Sequence, residues 1–185
     1  QARVWMDTWS RYAGPVKVLN LGRSAGGGEI GLSIEGPALK LTWRTQSGLE
    51  RSWQCTAPWK ITQWYHLTIV MRSDRIVVYC NGQDIGATML SSSAELPQET
   101  ARDKNSIGPA SYPLADVRLW NRADPAHEAN VLARSMRTLA GDESGLVGAW
   151  SLESGSAKDE SPFGHDGTWN QVPKASASAF KLAPA

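Results

Sequence analysis

Trp64-Tyr65-His66-Leu67-Thr68-Ile69-Val70-Met71 and Arg75-Ile76-Val77-Val78-Tyr79-Cys80, joined by Arg72-Ser73-Asp74, are the residues on which the fold turns. β-Branched and aromatic side chains crowd both runs, and three polar residues separate them, so the stretch reads as a β-hairpin. Asn81-Gly82 follows and offers the positive-φ pair of a tight turn, leading into Gln83-Asp84-Ile85-Gly86-Ala87-Thr88. Towards the N-terminus, residues 16–21 and 29–34 alternate on either side of Ser24-Ala25-Gly26-Gly27-Gly28, a second hairpin. Leu39, Leu41 and Trp43 share one face of the next run while Lys40, Thr42 and Arg44 share the other. Residues 51–57 make a further strand, stopped by Pro58. From Ser91 to Asn105 the composition turns to Ser, Glu, Pro and Lys, which predicts an exposed loop. Asp124 as N-cap, Pro125 at N1, the stripe Ala129, Leu132, Met136 and Leu139, and Gly141 as C′ predict one short α-helix near the C-terminal third. Residues 146–152 return to strand. The class is all-β, a sandwich or barrel, as one domain over residues 1–172, with the Ala, Ser, Pro and Lys tail of 173–185 read as a linker.

Composition narrows the partners. The 185 residues carry 19 basic and 18 acidic side chains, a formal charge of +1, without the basic footprint of a nucleic-acid binder. No apolar run reaches the length of a membrane span. Cys55 and Cys80 stand outside any CxxC or metal spacing and allow either one bridge or two buried thiols. Nine tryptophans against two phenylalanines raise two readings at once, large core fillers and sugar-stacking platforms.

Catalytic patterns are missing. A glycosidase on a β-sandwich needs two carboxylates close together in a cleft, and no strand carries alternating acids. Glu29 and Glu35 lie a strand's length apart, and Glu95 and Glu99 fall in the polar loop. His66, His127 and His165 lack a nucleophile signature, and His66 sits mid-strand as a side chain of one sheet face. Gly26-Gly27-Gly28 links strand to strand without the Lys-Ser/Thr ending or following helix of a phosphate cradle, and is a turn. The chain reads as no enzyme.

Four segments resemble the concanavalin A-like jelly roll, more narrowly its laminin-G-like and pentraxin-like members. They are residues 18–22 with 29–32; Gln63-Trp64-Tyr65-His66-Leu67-Thr68 with Val78-Tyr79-Cys80-Asn81-Gly82, similar to "W-x-H … Y-x-N-G"; Asp116-Val117-Arg118-Leu119-Trp120-Asn121-Arg122-Ala123, similar to "D-V-R-I-W-N-R-A"; and residues 145–152 with Asp159-Glu160-Ser161 and Gly164-His165-Asp166-Gly167-Thr168, similar to "G-L-V-A-Y-W … D-x-S-G-N-G-x-D-G-T". The resemblance implies a two-sheet antiparallel jelly-roll sandwich. In many such domains the last segment opens the sandwich, whereas here it follows the others, so it is expected to pack back onto its own domain rather than begin another.

The resemblance further implies a non-catalytic recognition module, lectin-like, for a glycan or protein ligand, within a larger secreted or cell-surface bacterial protein. The rival is a structural or protein-interaction module with no glycan ligand. Calcium at a sheet rim would take its oxygens from Asp84, Asp159 and Asp166. Trp43, Trp53 and Trp59, with donors from Arg44 and Gln54 beside them, are the expected ligand-binding residues, since an indole face with adjacent donors holds a sugar ring and its hydroxyls.

Overall fold

The computed structural model describes residues 2–6, 15–22, 29–56, 59–60, 62–97, 104–108, 114–123, 139–152 and 156–168. Of the expected helix from Asp124 to Gly141, residues 124–138 lie outside the described residues, as does the tail over 173–185, and residues 139–141 are not helical. Twelve strands run through the remainder: β1 (Ala2–Met6), β2 (Val16–Gly22), β3 (Ile30–Glu35), β4 (Ala38–Arg44), β5 (Glu50–Thr56), β6 (Gln63–Met71), β7 (Arg75–Cys80), β8 (Gln83–Met89), β9 (Lys104–Ile107), β10 (Leu114–Ala115), β11 (Val117–Trp120) and β12 (Leu146–Trp150). They form one sheet in the order β10-β1-β6-β7-β8, a second in the order β5-β4-β3-β2-β9, and the ribbon β11-β12. Neighbours pair antiparallel throughout.

The decisive hairpin forms as its residues require. β6 and β7 pair from Leu67↔Cys80 to Met71↔Ile76, and Asn81 and Gly82 both take positive φ, 49° and 77°, as a tight two-residue turn demands. The Asn81 side chain then accepts from the His66 backbone N–H at 2.9 Å, which ties the turn back to β6.

Between the two sheets lies one apolar core. Val16, Val18, Leu32, Ile34, Leu39, Leu41 and Trp43 of the second sheet meet Tyr65, Leu67, Ile76, Val78 and Cys80 of the first, and Trp59 joins them. Burial of this kind, about 25 cal/mol per Å² of apolar surface, is what holds two sheets face to face. At one edge the sandwich is closed by Trp53 of β5. A side chain at Gly86 of β8 would meet its indole at 2.8 Å, and Gly86 sits at φ 148°, so only glycine lets this indole lie against the neighbouring backbone.

Tertiary contacts change one expectation, the exposed loop after Ser91, and meet another, the return of the last segment onto its own domain. The polar stretch after Ser91 is anchored: a 3-10 turn covers Ser93–Glu95, Pro97 bridges Thr45, and residues 104 and 105 belong to β9. Its Glu95 accepts from the Ser91 N–H and pairs with Arg51; the Ser91 donors first, then Arg51, hold that carboxyl below its usual range. The segment after Gly145 packs back as β12 on β11, and Asp116, at φ 56°, divides β10 from β11. Arg118 grips Asp116 with two hydrogen bonds, Nε to Oδ1 at 2.7 Å and Nη2 to Oδ2 at 3.0 Å.

Candidate functional site

Register decides which side chains meet. Opposed residues in antiparallel strands share a face, and sequence neighbours take opposite faces. The pairings Leu41↔Trp53 and Leu39↔Cys55 place Trp53 and Cys55 towards the core, whereas Lys40↔Gln54 and Thr42↔Ser52 face solvent. The expected ligand set is therefore split. Trp43 is 3% exposed and its indole N–H donates to the Glu95 carbonyl at 2.7 Å; Trp59 is buried edge-on to Tyr65, ring centroids 4.9 Å apart. Trp53 is half-buried over Gly86. The period of two that buries Trp43 and Trp53 turns Arg44 and Gln54 the other way, so indole and donor do not form one sugar-stacking site.

What the register assembles instead is a row across the solvent face of the second sheet. Ser106, Asn20, Gly31, Thr42 and Ser52 stand opposite one another through β9, β2, β3, β4 and β5. Every one is short, and Gly31 has no side chain at all. The rows on either side carry mostly long ones: Lys17, Lys40 and Gln54 with Ser33 among them on one side, Lys104, Glu29, Arg44 and Glu50 with Gly22 among them on the other. Short floor and long walls make a groove perpendicular to the strands, four strand spacings or roughly 19 Å long. Lys17, Arg44, Ser52, Gln54, Lys104 and Ser106 are all exposed. Hydroxyls and an amide line the floor, and Lys40, which also reaches Glu35 at 3.4 Å, adds charge to the wall. Such a surface donates and accepts hydrogen bonds along its whole length without an aromatic plate.

The expected calcium ligands do not converge. Asp84 lies on β8, where its Oδ1 accepts from the Gly86 N–H at 2.8 Å. Asp159 and Asp166 belong to the loop after β12, and there Asp166 accepts from the Asp159 N–H at 2.9 Å. Asp159 is 3% exposed, and each of its oxygens already takes two donors: Oδ1 from the N–H groups of Ala149 at 2.8 Å and Ser161 at 2.9 Å, Oδ2 from the Ser161 hydroxyl and the His165 N–H, both at 2.8 Å. Burial opposes its ionisation, but these donors outweigh it and hold the carboxyl below the usual carboxylate range. A carboxylate with four donors in place has no lone pair to offer a cation. Among the described residues no three His, Cys, Asp or Glu side chains gather at metal-holding distance, so these aspartates do not fit calcium.

Asp159 organises a loop instead. The Trp150 indole N–H donates to the His165 carbonyl at 3.0 Å, the Ser161 hydroxyl to the Val147 carbonyl at 3.2 Å, and the Gly167 N–H to the Ala157 carbonyl at 2.7 Å. Both cysteines are free thiols, and Cys80 is pushed up to about 11, by burial first and by neighbouring Cys55 second. A cavity of about 330 Å³ opens between β2, β6 and β11, but its lining is mostly core aliphatic, including Val18, Leu32, Leu41 and Leu67, which suits no sugar. Among the described residues no helix is long and apolar enough to cross a membrane.

Residues 3–130 match a laminin G-type family model described as the Concanavalin A-like lectin/glucanases superfamily. Of solved structures, a candidate carbohydrate binding protein from Bacteroides ovatus is similar over 85% of this chain and 47% of its own, at 16% identity and a TM-score of 0.57. The botulinum neurotoxin serotype C1 binding domain aligns over 74% of this chain and 36% of its own, at 13% identity and a TM-score of 0.45. This chain thus spans less than half of either protein. No curated protein sequence matches it.

Proposed function

The chain belongs to the concanavalin A-like lectin/glucanase superfamily, and on that premise we propose that it is a non-catalytic recognition module that binds an oligosaccharide along the groove of the β5-β4-β3-β2-β9 sheet. The observation that carries this reading is the floor of Ser106, Asn20, Gly31, Thr42 and Ser52 between walls of long polar side chains. Sugars present dense hydroxyls and little charge, and a floor of hydroxyls and one amide matches them with directional hydrogen bonds. The walls supply charge-assisted donors from Lys17, Lys40, Arg44 and Lys104, which bind hydroxyl and ether oxygens more strongly than neutral donors.

Hydrolysis is not part of the reading. Two carboxylates on opposite sides of a scissile bond are needed for it, whereas Glu29 and Glu50 stand in one wall with Arg44 between them and the floor has no acid. We place the module in a longer exported or surface protein, where polysaccharide is met; the partial coverage of the Bacteroides ovatus protein agrees with a module among others.

A glycan array of the purified protein, repeated with a chelator, tests this. Reproducible oligosaccharide hits are expected, unchanged by the chelator and weakened about tenfold by Ser52→Arg, which fills the floor. A blank array would reject the reading in favour of a protein-interaction role.

A further inference from the structure

The two cysteines come from different sheets, and both point into the sandwich. On β5 the pairing Leu39↔Cys55 turns Cys55 towards the core, where it packs against the cluster that holds Cys80 of β7, itself 2% exposed. Both are free thiols. The sheets pinch together at this edge: β5 and β8 approach within 8 Å, Cα to Cα, where stacked sheets ordinarily stand about 10 Å apart. Glycine makes the approach possible, since the Trp53 indole lies on Gly86, and Gly86 pairs with Val78. Cys55 stands two residues beyond Trp53 and Cys80 two beyond Val78, so each thiol belongs to the next inward side chain after that contact. The charge of Cys55 is felt at Cys80, which agrees with neighbouring sulfurs.

We propose that Cys55 and Cys80 are a cross-linking site, joined by one disulfide between the two sheets when a disulfide oxidant such as oxidised glutathione is supplied. Cys55, half-buried, is the thiol that a reagent reaches. Its thiolate attacks the S–S bond of the oxidant; one glutathione leaves as the thiol, with the proton that Cys55 gave up, and a mixed disulfide remains on Cys55. The Cys80 thiolate then attacks the Cys55 sulfur, and the second glutathione leaves with the proton from Cys80. Two protein thiols have lost two electrons and two protons, and one oxidant disulfide has become two thiols. β5 is an edge strand paired with β4 alone, and it carries Ser52 and Gln54 of the groove, so the bond ties down the end of the groove that has least support. The site stands independently of the carbohydrate reading.

The folded protein, reduced and then held in a glutathione redox buffer without denaturant, tests this. Its mass should fall by two hydrogens, and a protease digest should yield one peptide pair joined through Cys55 and Cys80. Tm should rise by about 6–12 °C, as expected for a closed loop of this length in a chain of this size, and return on reduction. Cys55→Ser should abolish both the mass loss and the rise. The joined peptides are read on the wild-type chain, so the test does not depend on how well the variant folds. Two thiols still titratable after oxidation, glutathione retained on Cys55 alone, bridging only after denaturation, or a Cys55–Cys55 bond between two copies would each overturn the proposal.

Discussion

The solvent face of the second sheet and the loop after β12 display their residues by opposite means. In the sheet, five residues from five strands align because each strand repeats every two residues, and no single side chain is responsible. In the loop there is no repeat, and one carboxylate, Asp159, collects four donors and sets the position of everything around it. The first kind of surface is set by strand pairing rather than by any one side chain; the second depends on one.

The sharpest way to break that contrast is Asp159→Ala. Four donors lose their acceptor in a buried place, so unfolding free energy should fall by about 3–5 kcal/mol in denaturant titration; a loss below about 1 kcal/mol would mean the loop is held otherwise. The same carboxylate predicts a pH signature. Its folded pKa is lowered, so its contribution is complete above the unfolded carboxylate value, about pH 4, and is lost as pH falls through the folded value. Wild-type stability should drop there, and the drop should be smaller in Asp159→Asn. Next in size is Gly86→Val, which drives a side chain into the Trp53 indole at an unfavourable φ and should cost about 2–3 kcal/mol by thermal melting. Ser52→Arg should leave stability within about 0.5 kcal/mol while weakening oligosaccharide binding about tenfold, so it separates display from folding. Smallest is a difference of rate: a thiol reagent at neutral pH should label half-buried Cys55 well before Cys80, whose raised pKa and burial leave little thiolate.

The same contrast explains what could be read in advance. The hairpin of β6 and β7, the alternation in β4 and the positive-φ turn at Asn81-Gly82 follow from residue type and period alone, and β2 to β8 stand within a residue of their expected limits, whereas β12 ends two residues early and β9 enters the expected loop. The groove did not follow, because its residues come from five strands and meet only through register. Placing Trp43 beside Arg44 and Trp53 beside Gln54 used nearness in sequence, and in a strand that nearness separates side chains. Asp159 was legible as an oxygen donor, but not as one whose oxygens are taken by Ala149, Ser161 and His165.

Asp116 divides one run of chain between two partners: Leu114 and Ala115 pair with β1, and residues 117–120 pair with β12. On the ribosome, the meander of β2 to β5 and the run of β6 to β8 need only near neighbours and can form early, since pairing over short separations closes small loops. β1 pairs with β6 across some sixty residues, but its other edge waits for residue 114 and β11 waits for residue 150. The last of the described strand pairings to form is therefore the seam around Asp116, and until residue 150 has emerged the nascent chain carries an unpaired strand edge that a chaperone must cover or that a neighbouring chain could occupy.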